Sequence, residues 1–199
     1  MDDSRIKAIY TVYLDVIAPF ITKLETLEGK FPVELFNEVR AIFTHLARCY
    51  KTSDQSVIDD NITKAERHVK RATLDCFKFM CFALDNQYHT FEKMYKYVDL
   101  SLIDNGEFLP KLSYMRNEAV KSLNKAKELE LVSENIEDTF DYFQDAYNKF
   151  SNVHKLLDGA KVKMQRLKHK AIGSQTVNYI IGGIGVAGTI FTIVTYFMK

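Results

Sequence analysis

Two rows of ionisable side chains recur at helical spacing in this chain. Glu38, His45 and Arg48 stand at i, i+7 and i+10. Lys64, His68, Arg71, Asp75 and Lys78 stand at i, i+4, i+7, i+11 and i+14. At 3.6 residues per turn, each row runs along one side of its helix. If the two helices form an antiparallel hairpin, the rows meet. The structural outcome is a polar network in which Glu38, Lys64, Asp75 and Lys78 help to fix helix register. The functional outcome is a site for an acidic ligand such as a phosphate, held by His45, Arg48, His68 and Arg71. Of the two, the register-fixing network is favoured. His45 and Cys49 have the i, i+4 spacing of a helical metal pair, but Cys76 and Cys81 lie five apart and no further ligand set converges. No metal and no cofactor are therefore expected. The phosphate loop, the dinucleotide glycine pattern, the G-x-S-x-G elbow and H-E-x-x-H are all missing from the sequence.

The segment Arg40-Ala-Ile-Phe-Thr-His45 resembles the R-x4–6-H motif of the HEPN superfamily. Members of that superfamily are helical bundles, and many are metal-independent ribonucleases whose dimers bring two motifs together. Some are joined to membrane helices in bacterial antiviral systems, including accessory proteins of CRISPR loci. The resemblance implies that Arg40 would position and stabilise phosphate. It implies that His45 would be the acid or base for attack by the RNA 2′-hydroxyl.

The elements that must carry these residues read as all-α. A first helix is expected from Ser4 to about Glu28, kinked at Pro19, with Gly29 and Lys30 turning the chain. Pro32 then sits in the first turn of a second helix, whose stripe is Leu35, Val39, Ile42, Leu46 and Cys49. The polar segment KTSDQSVIDDN follows, with Asp59 or Asp60 as the cap of a long third helix reaching to about Val98. Apolar residues on most sides between Leu74 and Leu84 predict deep burial there. DLSLIDNGE breaks the pattern, and a fourth helix runs from about Glu107 to Glu130. Ser133 opens a fifth helix with a buried face of Ile136, Phe140, Phe143, Tyr147, Phe150, Val153, Leu157, Ala160, Met164 and Leu167. Its aromatic row is expected against the Tyr88–Tyr95 row. Gly159 and Gly173 mark weak points.

The last segment has a different chemistry. From Tyr179 to Met198 the chain reads YIIGGIGVAGTIFTIVTYFM without a charge. Twenty helical residues cover about 30 Å, the thickness of a bilayer's hydrocarbon core. The expected layout is a cytosolic helical bundle of about five helices over 1–172, a short joint over 173–178 and a transmembrane tail anchor over 179–198. Lys161, Lys163, Arg166, Lys168 and Lys170 lie ahead of it with no acid among them, as expected of residues facing anionic headgroups on the cytosolic side. Within the anchor, Gly182, Gly185, Thr189, Thr192 and Tyr196 fall at three-four spacing on one face. Small and hydroxyl-bearing residues on one face allow helices to approach closely in lipid, so the anchors are expected to self-associate there.

A formal net charge of +1 gives no support for coating DNA. The opening MDDSRIKAIYTVYLDVIAPF is not a signal peptide, and three cysteines with no framework spacing suit a reducing compartment. The abundance of Phe, Tyr, Lys and Asn points to an AT-rich, bacterial source and hence to a bacterial inner membrane. The leading expectation is a tail-anchored, self-associating membrane effector or scaffold, in its concrete version a pore-forming or membrane-disrupting component of bacterial antiviral defence. Its partners would be the lipid bilayer, further copies of the chain, and a protein or RNA of the defence system. Two alternatives stand beside it. One is a membrane-tethered HEPN-like ribonuclease. The other is a SNARE-like fusion protein, because the layout of bundle, long helix and terminal anchor resembles that family. Enzymatic activity is not the favoured reading.

Overall fold

A computed structural model gives the fold. It describes residues 3–30, 32–132 and 139–170 with their side chains, and the helical backbone of 137–138 and 171–197. Among the described residues there is no strand, and the architecture is all-α.

The first helical stretch comprises α1 (Asp3–Val12), a π-helical segment (Tyr13–Ile17) and α2 (Ala18–Glu28). The π segment lies directly ahead of Pro19. Proline has no N–H to close an α-turn, and its ring crowds the carbonyl four residues back. Widening that turn removes the conflict without ending the helix. Gly29 then stops it in the left-handed region, at φ 63°, and donates its N–H to the Glu25 carbonyl at 2.8 Å.

Helix α3 (Val33–Cys49) starts after Pro32, which is its N-cap rather than a first-turn residue. Leu35, Ile42, Leu46 and Cys49 are buried, and Val39 packs against them half-buried, as the stripe predicts. Helix α4 (Gln55–Met94) begins earlier than expected. Its cap is Asp54, not Asp59 or Asp60. The Asp54 carboxylate accepts from the Ser56 backbone N–H at 2.9 Å and from the Ser56 hydroxyl at 2.8 Å. These bonds hold its pKa below the ordinary carboxylate value. The helix also ends before Val98. Tyr95 makes the last i−4 bond, to Phe91, and Val98 closes a tighter turn on Tyr95.

The DLSLIDNGE segment forms two short 3₁₀ turns, Leu100–Leu102 and Asp104–Gly106, with Asp104 and Asn105 at positive φ. Asp99 caps the first turn through Ser101. Helix α5 is Phe108–Val132 and α6 is Glu137–Phe197. Ser133 and Ile136 lie outside the described residues. One uninterrupted helix passes through both Gly159 and Gly173, so neither interrupts it.

The chain divides into two compact units, 1–89 with 113–154 and 90–112 with 155–199. In the first, the core gathers Ile17, Leu35, Ile42, Ile62, Cys76, Met80, Phe143 and Phe150. Leu74, Phe77, Cys81, Ala83 and Leu84 are buried too, so the middle of α4 is covered on most sides as expected. The aromatic partners differ from expectation. Phe140 and Tyr147 pack on Phe77, at 5.3 and 5.5 Å between ring centroids, and Tyr147 also meets Phe20 at 5.2 Å. Phe77 occupies the fully covered stretch of α4. Tyr88 instead takes the Arg116 guanidinium 4.8 Å from its ring centre. In the second unit, Leu100, Ile103, Phe108, Leu112, Leu157, Ala160 and Met164 are buried, and Leu167 is half-buried.

Candidate functional site

The two predicted polar rows meet in the first unit. Helix α4 supplies Asn61, Lys64, Arg67, His68 and Arg71 along one side, and α3 faces it with Glu38 and His45. Thr63 and Glu66, one face over, bind Arg5 of α1. The antiparallel hairpin on which a meeting of the rows depends is the geometry observed.

Two histidines lie at its centre, with ring centroids 5.4 Å apart and planes inclined by 19°. Each is tied by the same nitrogen. His68 Nδ1 lies 2.7 Å from a Glu38 carboxylate oxygen. His45 Nδ1 lies 3.0 Å from Asn61 Oδ1. The Asn61 amide nitrogen donates to the Val57 carbonyl at 2.8 Å, which leaves its oxygen to face His45. Both acceptors require a proton on Nδ1. Each ring is thus fixed in orientation, with Nε2 as the nitrogen available to a ligand.

Beside the rings is a cleft of about 430 Å³ lined by His45, Lys64, Arg67, His68 and Arg71. Every lining residue is cationic or can become so. Two carboxylates pair with this lining, one covered and one exposed. Glu38, only 17% exposed at its side chain, serves His68 and reaches Arg71 at 3.8 Å. Asp60 pairs with Lys64 at 2.7 Å. Among the described residues no ion pair occupies Arg67.

The rest of the row continues away from the cleft. Lys78 pairs with Glu130 at 2.6 Å, and its ammonium sits 5.7 Å from the Phe143 ring centre. The Asp75 carboxyl is pushed up to about 6 by burial, and the nearby Glu38 and Glu130 carboxylates add to a rise that Lys78 and Arg71 oppose. Arg40 and Arg48 are both exposed and neither lines the cleft. Arg40 is five residues from His45, which places it about 140° round the helix.

The sequence reading missed Arg67 and Asn61. Arg67 had a signal, because it stands three residues after Lys64 and four before Arg71. Asn61 falls in the polar segment KTSDQSVIDDN, whose composition reads as a loop and hides its place on the same face. A second cluster joins α4 and α5. Arg116 donates to Asp85 at 3.2 Å, and His89 stands 3.5 Å from the same carboxylate.

Among the described residues no group of three or more His, Cys, Asp or Glu side chains converges as a metal site requires. Of the basic run, Lys163 pairs with Asp104, an acid the linear sequence keeps far away, and Lys168 lies 5.5 Å from the Tyr95 ring centre. Lys161, Arg166 and Lys170 are exposed. Among the described residues no helix is long and apolar enough to cross a membrane. The segment 179–198, with Gly182, Gly185, Thr189, Thr192 and Tyr196, lies outside those described with side chains. Compared with protein-family models, curated proteins and solved structures, the chain matches none.

Proposed function

We propose that the chain is a membrane-anchored effector or scaffold. It holds its helical domain at the cytosolic face and self-associates through residues 179–198. The observation that carries this reading is the charge-free run from Tyr179 to Met198, preceded by Lys161, Lys163, Arg166, Lys168 and Lys170. A run of that length matches the hydrocarbon core, and basic flanks fix its orientation. The Gly/Thr face at Gly182, Gly185, Thr189 and Thr192 gives copies a close contact in lipid. In its concrete form, clustered anchors breach the membrane of a bacterium during antiviral defence.

The test uses the full chain. Alkaline extraction should leave it in the membrane pellet, and detergent-solubilised protein should sediment as an oligomer. Gly185→Leu should keep it in the pellet while reducing the oligomer. Overexpression should depolarise cells in a dye-permeability assay. Recovery of the wild-type chain in the carbonate supernatant refutes the anchor, and an unchanged membrane potential refutes the effector.

The ribonuclease reading draws on the paired, oriented rings of His45 and His68 in a basic cleft. The exposed position of Arg40, outside the cleft, speaks against the role implied for it. RNA cleavage without metal that disappears in His45→Ala would favour this reading.

A further inference from the structure

We propose that the cleft between α3 and α4 binds the dianionic phosphate of a small phosphate monoester or of inorganic phosphate. His45, Lys64, Arg67, His68 and Arg71 are the ligand-holding residues. The proposal is independent of membrane anchoring.

Three features point to it. The first is the composition of the lining, with neither an acid nor an apolar side chain in it. Lys64 pairs with Asp60 and Arg71 shares Glu38 with His68, which leaves Arg67 as the lining cation that no ion pair engages among the described residues. A lining of one sign of charge attracts an anion into the cleft. The second is the organisation of the rings. Nδ1 of each is committed to Asn61 or Glu38, so the two Nε2 atoms can act together toward one ligand. A surface network serving helix register alone needs no such pair. The third is the mix of donors. Guanidinium forks suit the oxygen pairs of a phosphate, and an ammonium adds a point charge. With Nδ1 protonated, Nε2 of the neutral ring accepts from the P–O–H of hydrogen phosphate, and Nε2 of the imidazolium donates to a phosphate oxygen. A cleft of about 430 Å³ holds a phosphate with a small organic group attached.

Arg67 is the residue on which the test turns. It is exposed and no ion pair engages it among the described residues, so its replacement does not threaten the fold. The full chain, kept in solution with a mild detergent, is titrated with inorganic phosphate, then with glycerol 3-phosphate. The expected result is saturable binding with one site per chain. Arg67→Glu should weaken it at least tenfold, and His68→Gln should weaken it severalfold, with the helical signal and melting point retained. Lys51→Glu, a charge reversal in the exposed turn before α4, should bind as wild type.

A second arm uses nanodiscs that contain phosphatidylinositol 4-phosphate. Competition between this lipid and soluble phosphate, lost in Arg67→Glu, identifies a headgroup as a source that reaches the same cleft. Binding of the soluble ligands alone identifies the source as soluble. Either result supports the site. Absence of saturable binding to every phosphate probe overturns it. Equal weakening by Arg67→Glu and Lys51→Glu overturns it as well, because general surface charge would then account for the binding.

Discussion

Asp75 shows how one residue can set a pH dependence. Its carboxyl has a pKa of about 6 in the folded chain, against 3.8 for the ordinary value. Folding therefore favours the protonated form. The contribution of this group is most favourable below about pH 4, declines as pH rises toward 6, and is a constant cost above that. A two-unit shift corresponds to about 3 kcal/mol. The side chain keeps partial access to water, so screening reduces the realised cost to about 1–2 kcal/mol. Asp75→Asn removes the ionised form. It should raise stability by about 1–2 kcal/mol at pH 7.5 and by little at pH 4. Urea unfolding followed by helical signal at the two pH values measures both. If wild type and variant keep a constant offset across this range, the carboxyl is not the source. The same residue scale explains why Arg67 lines the cleft and Arg48 does not. Spacing places a side chain on a face, and only the partner helix decides which part of that face is covered. Arg48 and His45 are neighbours on α3, yet the cleft takes only His45.

Glycines mark the limits of reading an element from its sequence. Gly29 and Gly159 are the same residue type with opposite consequences. Gly29 sits at φ 63°, with nothing within 4 Å of an added Cβ. Its need is purely conformational, since an L side chain is strained in the left-handed region. Gly159 lies inside α6, also with open space around it, where glycine only adds entropy to the unfolded chain. Gly29→Ala should therefore destabilise by about 1 kcal/mol, and Gly159→Ala should stabilise by about 0.5–1 kcal/mol. Melting curves of the two variants should shift in opposite directions, and shifts of the same sign would contradict the assignment. Elements whose signal is periodic were legible. The Leu35–Ile42–Leu46–Cys49 stripe and the buried middle of α4 follow directly from 3.6-residue spacing. Ends and partners were less so. Thr52, Asp54 and Ser56 compete with Asp59 and Asp60 for the cap of α4, and only hydrogen-bond geometry separates them. The partner of Phe140 and Tyr147 depends on which segment of α4 is most enclosed, and every aromatic on that helix has a similar local pattern.

At the scale of the molecule, the three thiols report on the integrity of the first unit. Cys49, Cys76 and Cys81 are all buried, and all belong to its core. Burial pushes Cys76 and Cys81 up to about 12, with the Asp75 carboxylate adding to the rise at Cys76 and Lys127 opposing it at Cys81. Burial raises Cys49 too, against a backbone hydrogen bond that lowers it. At pH 8 a thiol of pKa 12 is ionised about once in ten thousand, and only the thiolate reacts with a disulfide reagent. Access is closed as well, because Cys76 and Cys81 are 0% exposed. Labelling of these two must therefore wait for the core to open, and its rate should follow the global stability of that unit. Cys49, near the C-terminal end of α3, should react first, through local fraying. Core-destabilising Ile62→Ala, which empties a fully buried site on α4, should cost about 2–5 kcal/mol. It should speed labelling of Cys76 and Cys81 by at least about thirtyfold, with a smaller effect on Cys49. Mass spectrometry of the labelled peptides separates the sites. Rapid modification of Cys76 or Cys81 in the folded wild-type chain would mean that the two α4 thiols are not enclosed by the helices packed around them.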